Sequence, residues 1–132
     1  MATEPGIQFS DQTGWRIASC NLPALDDLGK LDKIEQACIR DLTERPARFA
    51  AIDLSQVNYM VTRGIGMLVG LLKRQRESGG TLVLCGMDPN VRRTFRIARL
   101  DRLFEIFPTI DALVAARPHG RPINVDPPNF GP

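Results

Sequence analysis

The chain has one histidine in 132 residues, His119, and it lies in a proline-rich stretch near the end. A zinc site or histidine-based acid–base chemistry therefore lacks its usual donor. Cysteine is also scarce. Cys20, Cys38 and Cys85 stand alone, without CxxC spacing, in apolar runs such as Leu82-Val83-Leu84-Cys85. That pattern suits reduced core thiols in a cytosolic protein and supplies no metal ligand set. No apolar run approaches the ~20 residues of a membrane-spanning helix. The polar start Met1-Ala2-Thr3-Glu4-Pro5-Gly6 is unlike a secretory signal. The expected location is the cytoplasm, with no membrane insertion. The net charge of +2 is too small to imply nucleic acid. Acids such as Glu35, Asp41, Glu44 and Glu77 are scattered, and no nucleophile has a base nearby in sequence. No catalytic residue, metal or cofactor is expected.

What is present is ordinary for a globular protein, with 43% hydrophobic and 24% charged residues. A chain of this length can bury roughly two-thirds of its unfolded surface in one domain without disulfides or metals. The ends read differently from the middle. Residues 1–6 carry Pro and Gly without periodicity and are expected to be flexible. Residues 117–132 are proline-rich, from Arg117-Pro118-His119-Gly120 to Pro132, and are expected to form an extended tail. Residues 7–116 are expected to form the domain.

Within it, Ile7-Gln8-Phe9 and Trp15-Arg16-Ile17-Ala18 alternate around Asp11-Gln12-Thr13-Gly14, which predicts a hairpin. Leu31, Ile34, Cys38 and Leu42 predict a helix from Lys30 to Leu42. Arg48 to Leu54 and Thr81 to Cys85 are apolar runs of strand length, the second suited to a strand covered on both faces. Between them a helix from Ile65 to Ser78 would present Ile65, Leu68, Val69 and Leu72, and end at Gly79-Gly80. Asp88-Pro89 predicts a capped helix start, with Val91, Phe95 and Ala98 inward. Leu103 to Phe107 reads as a last strand and Thr109 as the cap of a last helix. Strands alternating with helices call for parallel pairing under covering helices.

Partners of such sheets gather where strands pass into helices. The unusual connection here runs from Ser55 to Met60 and then Val61-Thr62-Arg63-Gly64-Ile65-Gly66. Thr62 stands where it can cap the helix, and there a hydroxyl lies in a field that also favours an attached phosphate. Capping alone and a binding role both fit these residues. Gly64, Gly66 and Gly70 also resemble a variant nucleotide loop, although a P-loop is absent. Met60 and Met67 flank the turn, as core fillers or as an adaptable contact surface. Tyr59 reads as a core residue. Arg92, Arg96 and Arg99 form a basic stripe, either a solvated face or a contact for an acidic partner; specific nucleic-acid recognition is not expected without interleaved exposed aromatics.

The stretch from Ile52-Asp53-Leu54-Ser55 to Gly64-Ile65-Gly66-Met67-Leu68, together with Gly79-Gly80-Thr81-Leu82-Val83-Leu84-Cys85-Gly86, Pro89-Asn90-Val91-Arg92-Arg93 and Leu100-Asp101-Arg102-Leu103-Phe104, resembles STAS domains, the anti-anti-sigma factor family. The resemblance covers roughly residues 7–116. It implies an α/β fold, a mixed sheet of about five strands against about four helices. It also implies a protein-binding regulator that antagonises an anti-sigma factor, the partner being a serine kinase of GHKL type that phosphorylates a hydroxyl in an aspartate-serine-serine-glycine turn. By this resemblance the phosphoacceptor candidate is Thr62 and the family glycine is Gly64. Together with the turn, the methionines and the basic stripe, the expected partner surface comprises Met60, Val61, Thr62, Arg63, Gly64, Met67, Arg92 and Arg96. Val61 replaces the family aspartate, Arg63 the second serine, and Pro23 the acid of a Gly-x-Leu-Asp stretch, unless Asp26 or Asp27 folds back. Phosphorylation at Thr62 is therefore expected to be atypical or absent. The alternatives are an unphosphorylated scaffold STAS subunit of a stress-signalling or lipid-transport complex, and a small-ligand or nucleotide-binding domain. The sequence does not specify the oligomeric state.

Overall fold

A computed structural model describes residues 3, 4 and 6–120. After a two-residue strand β1 (Thr3–Glu4), the chain forms a hairpin of β2 (Ile7–Gln12) and β3 (Trp15–Cys20). Its two-residue turn places Thr13 (φ 49°) and Gly14 (φ 82°) in the left-handed region, the geometry that matches strand twist in tight hairpins. Helix α1 (Leu28–Glu44) follows the short strand β4 (Ala24–Leu25). Next come β5 (Phe49–Asp53), β6 (Tyr59–Met60), α2 (Thr62–Glu77), β7 (Thr81–Cys85) and α3 (Pro89–Ile97). The described chain ends with β8 (Ile106–Phe107), α4 (Ile110–Ala116) and a short 3-10 segment, Pro118–Gly120.

The main sheet has the order β1-β2-β3-β5-β7-β8. The hairpin is antiparallel, whereas β3, β5, β7 and β8 pair in parallel. This is the mixed α/β architecture anticipated from the strand–helix alternation, with four α-helices among the described residues. Strands β5 and β7 sit centrally, which is why Ala50, Ala51, Ile52, Leu82, Val83 and Leu84 are all buried. Period-two alternation then divides the core. Leu31, Ile34, Leu68, Leu72 and Phe95 of α1–α3 pack with Ile52 and Leu84 on one face; Leu113 of α4 joins Trp15, Ile17 and Val83 on the other.

Several elements depart from the sequence expectation. The buried residues of α2 are Gly64, Met67, Leu68, Leu71, Leu72 and Gln75, with Ile65 and Val69 only partly covered. The helix is rotated because it packs on both α1 and β7. On α3, Val91 and Phe95 are buried but Ala98 is exposed, since the helix ends at Ile97 and Arg99 turns left-handed at φ 60°. That turn starts a 3-10 segment, Leu100–Arg102, so the expected strand from Leu103 shrinks to Ile106–Phe107. Phe104 instead packs edge-on against Phe95, with ring centroids 6.0 Å apart.

The expected tail also begins too early. Arg117 is buried, pairs through its guanidinium with Glu105 and accepts the Trp15 indole N–H on its carbonyl at 2.8 Å. His119 N–H donates to Thr13 O, and Gly120 lies against Phe49 where a Cβ would collide at 2.2 Å. Residues 117–120 are thus part of the fold, and β1 puts residues 3 and 4 on the sheet as well. The rest of the expected tail, residues 121–132, lies outside the described residues.

Candidate partner-binding site

The carboxyl end of β5 starts the site. Leu54 N–H donates to Cys85 O at 2.8 Å, holding the chain to β7, and Val57 N–H closes a turn onto Leu54 O at 2.9 Å. Val57 is buried and pins that turn. The chain then pairs in parallel with β4, Ala24 opposite Tyr59 and Leu25 opposite Met60. Asn58 N–H to Pro23 O (2.8 Å) and Val61 N–H to Leu25 O (3.0 Å) extend this short ladder. The turn is therefore braced by the segment before α1. Two-residue strands carry no periodicity, so this ladder leaves no pattern in the sequence.

Thr62 does not cap α2. Val61 is the cap residue, with extended φ −82° and ψ 165°, and has no side-chain acceptor to offer. Thr62 is the first residue of the helix and is exposed. Its hydroxyl makes no hydrogen bond among the described residues. The helix start is held by backbone alone, through Gly64 N–H and Ile65 N–H on Val61 O at 2.9 and 3.3 Å. Arg63 is also exposed, but it is neither free nor simply solvated: its Nη2 lies 2.8 Å from Asp32 Oδ1 and 3.3 Å from Glu35 Oε1, both on α1.

The other expected contact residues separate into surface and support. Met60 and Met67 are buried, at 9% and 1% exposure, so the expectation that they meet a partner is corrected to a core role. Gly64 is buried as well. A Cβ there would stand 2.7 Å from Met60 Cγ and 3.6 Å from a Leu31 methyl, so glycine lets α2 sit down on this methionine. Gly66 and Gly70 lie inside α2, facing open space and Glu35 respectively, and do not form a loop. Arg92 and Arg96 are exposed on α3. A cavity of ≈ 270 Å³, lined by Asn58, Tyr59, Met60, Ile65, Asn90, Val91 and Thr94, separates α3 from the turn.

One surface residue runs against the sequence expectation, and one of the two acids considered for the turn stands next to it. Tyr59, expected in the core, is 55% exposed, because the ladder to β4 turns its strand out at the sheet's rim. Asp26 follows Leu25 directly and is exposed, so a carboxylate-bearing residue stands one step beyond the Leu25–Met60 pair. Asp27 is engaged otherwise, accepting Lys30 N–H at 3.0 Å as the cap of α1. The three cysteines are free and buried. Burial, and the nearby charge of Asp53, push the Cys20 and Cys85 thiols up to about 12, which leaves them protonated and unreactive. Burial also raises the Cys38 thiol.

A domain model described as "STAS domain" matches residues 27–113. The chain belongs to the STAS domain family. A relative from Listeria monocytogenes, named anti-sigma-B factor antagonist, is 40% identical over 55 residues, 42% of this chain and 48% of that relative. This STAS chain thus spans about half the length of that relative. Among solved structures, an anti-sigma factor antagonist from Mycobacterium paratuberculosis is 25% identical, with a TM-score of 0.71 over 84% of this chain and 92% of that one. The Bacillus cell fate determinant SpoIIAA in its phosphorylated form is 14% identical, with a TM-score of 0.64 over 84% of this chain and 99% of that one, a likeness of fold. Among the described residues no helix is long and apolar enough to cross a membrane.

Proposed function

We propose that this STAS protein is an anti-sigma factor antagonist in a partner-switching system, acting in the cytoplasm by binding rather than by catalysis. The partner is an anti-sigma factor, a serine kinase of GHKL type. The contact is the start of α2, with Val61, Thr62 and Arg63 at the surface and Met60, Gly64 and Met67 supporting them from below. The observation that carries this reading is the uncommitted, exposed Thr62 at the first position of a 16-residue helix, on a turn braced by β4 rather than by a side-chain cap. The family and the names of its relatives support the same assignment.

The turn binds without serving as a phosphorylation switch. Valine stands in the aspartate position, so no acid precedes the Thr62 hydroxyl within the turn. Arg63 occupies the second hydroxyl position and is paired to Asp32 and Glu35. The test is incubation of the full chain with its cognate kinase and ATP, followed by intact mass and peptide mapping. Unmodified protein is the expected outcome; stoichiometric phosphate on Thr62 contradicts it.

A further inference from the structure

Helices α1 and α2 carry the Thr62 turn at one end and a cleft of ≈ 540 Å³ at the other. About 20 Å of helix separates Gln75, which lines the cleft, from Thr62. The apolar lining comes from Ile39 and Leu42 of α1, Leu71 of α2, and Pro46 on the way into β5. Arg48, Arg74 and Thr43 line the same cleft, and no carboxylate does. An apolar cleft of this volume with a few polar groups has the character of a small-molecule pocket.

The polar groups in it are chemically unspent. Arg48 and Arg74 are both exposed, and neither has a carboxylate partner among the described residues. Arg48 rests instead over the Phe49 ring, 5.4 Å from its centroid. The end of α2 does not consume Arg74, because its last carbonyls are already met. Ser78 N–H donates to Arg74 O at 3.2 Å, Gly80 N–H to Gln75 O at 2.8 Å, and Gly79 N–H to Arg76 O at 2.9 Å.

Gln75 supplies the third group. It is 4% exposed, and its Nε2 donates to Ala47 O at 2.6 Å, with Thr81 O and Arg48 O at 3.3 and 3.4 Å. Three carbonyls thus fix which way the amide points. Its Oε1 accepts no hydrogen bond from a described residue. Among the described residues no side-chain oxygen is both sealed from solvent and unpartnered, so this one opens onto the cleft that Gln75 lines. An acceptor held in place without a donor is a group that a ligand can satisfy.

We infer that this cleft binds a small organic anion with an apolar body. The carboxylate or phosphate pairs with Arg48 and Arg74, the body lies on Ile39, Leu42 and Leu71, and a hydroxyl or N–H of the ligand donates to Gln75 Oε1. A simple inorganic anion would leave the apolar lining unused, and a neutral hydrocarbon would leave both guanidiniums unused. The site is separate from the Thr62 turn, so it stands or falls independently of the antagonist reading.

The experiment is an NMR titration of the isotope-labelled full chain with 3-hydroxydecanoate and with decyl phosphate, each below its micellar concentration. Decane-1,3-diol removes the charge, and 3-hydroxybutyrate removes most of the apolar body. At least one of the two probes is expected to shift the Leu42 and Leu71 methyls and the Gln75 side-chain amide. Both controls should bind at least about tenfold more weakly. Arg48→Ala and Arg74→Ala should each weaken the probe by a similar factor. Both arginines are at the surface, and circular dichroism verifies that the variants fold. No binding by either probe, shifts confined to other faces, equal binding of a control, or unchanged affinity in both variants overturns the inference. So does a helical peptide of glutamates and leucines that shifts the same residues at lower concentration, because the cleft would then be a protein contact.

Discussion

Arg63 Nη2 lies 2.8 Å from Asp32 Oδ1, so the first turn of α2 is tied to the adjacent face of α1 at the point where the partner is proposed to dock. Both side chains remain substantially exposed, at 41% and 66%. Exposed pairs of this kind contribute little to stability, ~0–1 kcal/mol. Arg63→Ala is therefore expected to change the urea midpoint by no more than this, while weakening partner binding. A large loss of stability would show that the pair holds the fold rather than presents the surface.

Gly64 predicts the opposite balance. Its added Cβ would meet Met60 Cγ at 2.7 Å, in the buried middle of that side chain, where little room exists to yield. Gly64→Ala should destabilise the protein by about 1–3 kcal/mol, as overpacking does. Shortening the neighbour should recover part of this, so Gly64→Ala with Met60→Ala is expected to fall short of the summed single losses in a double-mutant cycle. Strict additivity would refute the contact.

The buried thiols set an alkaline limit. Cys20 and Cys85 keep their protons to about 12 in the folded protein, against an ordinary value of 9.0. Their contribution is fully present below pH 9.0 and is lost as pH rises toward about 12, because only the unfolded chain releases those protons in that window. Stability from urea unfolding should fall by about 1.4 kcal/mol per pH unit for each thiol there. Cys85→Ala should reduce the slope by one thiol's share. A pH-independent stability over that range would contradict the assignment.

Arg117 tests where the domain ends. It is buried against Glu105, with Phe107 beneath its guanidinium, and its carbonyl holds the Trp15 indole. Arg117→Ala leaves Glu105 unpartnered in a largely covered position, and is expected to cost about 3–5 kcal/mol by thermal or urea unfolding. A neutral result would mean the segment lies loosely on the domain.

These residues also mark how far sequence patterns reach. Asp27 and Asp88 cap α1 and α3, and Thr109 caps α4. All three helices were readable, Asp88 and Thr109 directly, because caps and apolar spacing act locally. The parallel core strands were equally legible from their continuous apolar runs. Long-range contacts were not. Arg117 reads as tail because proline follows it, yet its partners Trp15 and Glu105 are chosen by the packed fold. Thr62 has the residue type of a cap, but the ladder from Leu25 to Val61 moves the helix start by one position. The same ladder exposes Tyr59 and brings Asp26 beside the turn. Gly64 reads as part of the turn, while its contact with Met60 follows only from the rotation of α2.

The antagonist assignment is tested most directly by competition with the cognate anti-sigma factor bound to its sigma factor. Purified full-length protein is added to that complex, and release of sigma is followed by analytical gel filtration. This chain is expected to form a complex with the anti-sigma factor and free sigma, Thr62→Glu and Arg63→Ala to weaken both effects, and Thr62 to carry no phosphate afterwards. An intact anti-sigma–sigma complex, with this chain eluting alone at every concentration, would contradict it.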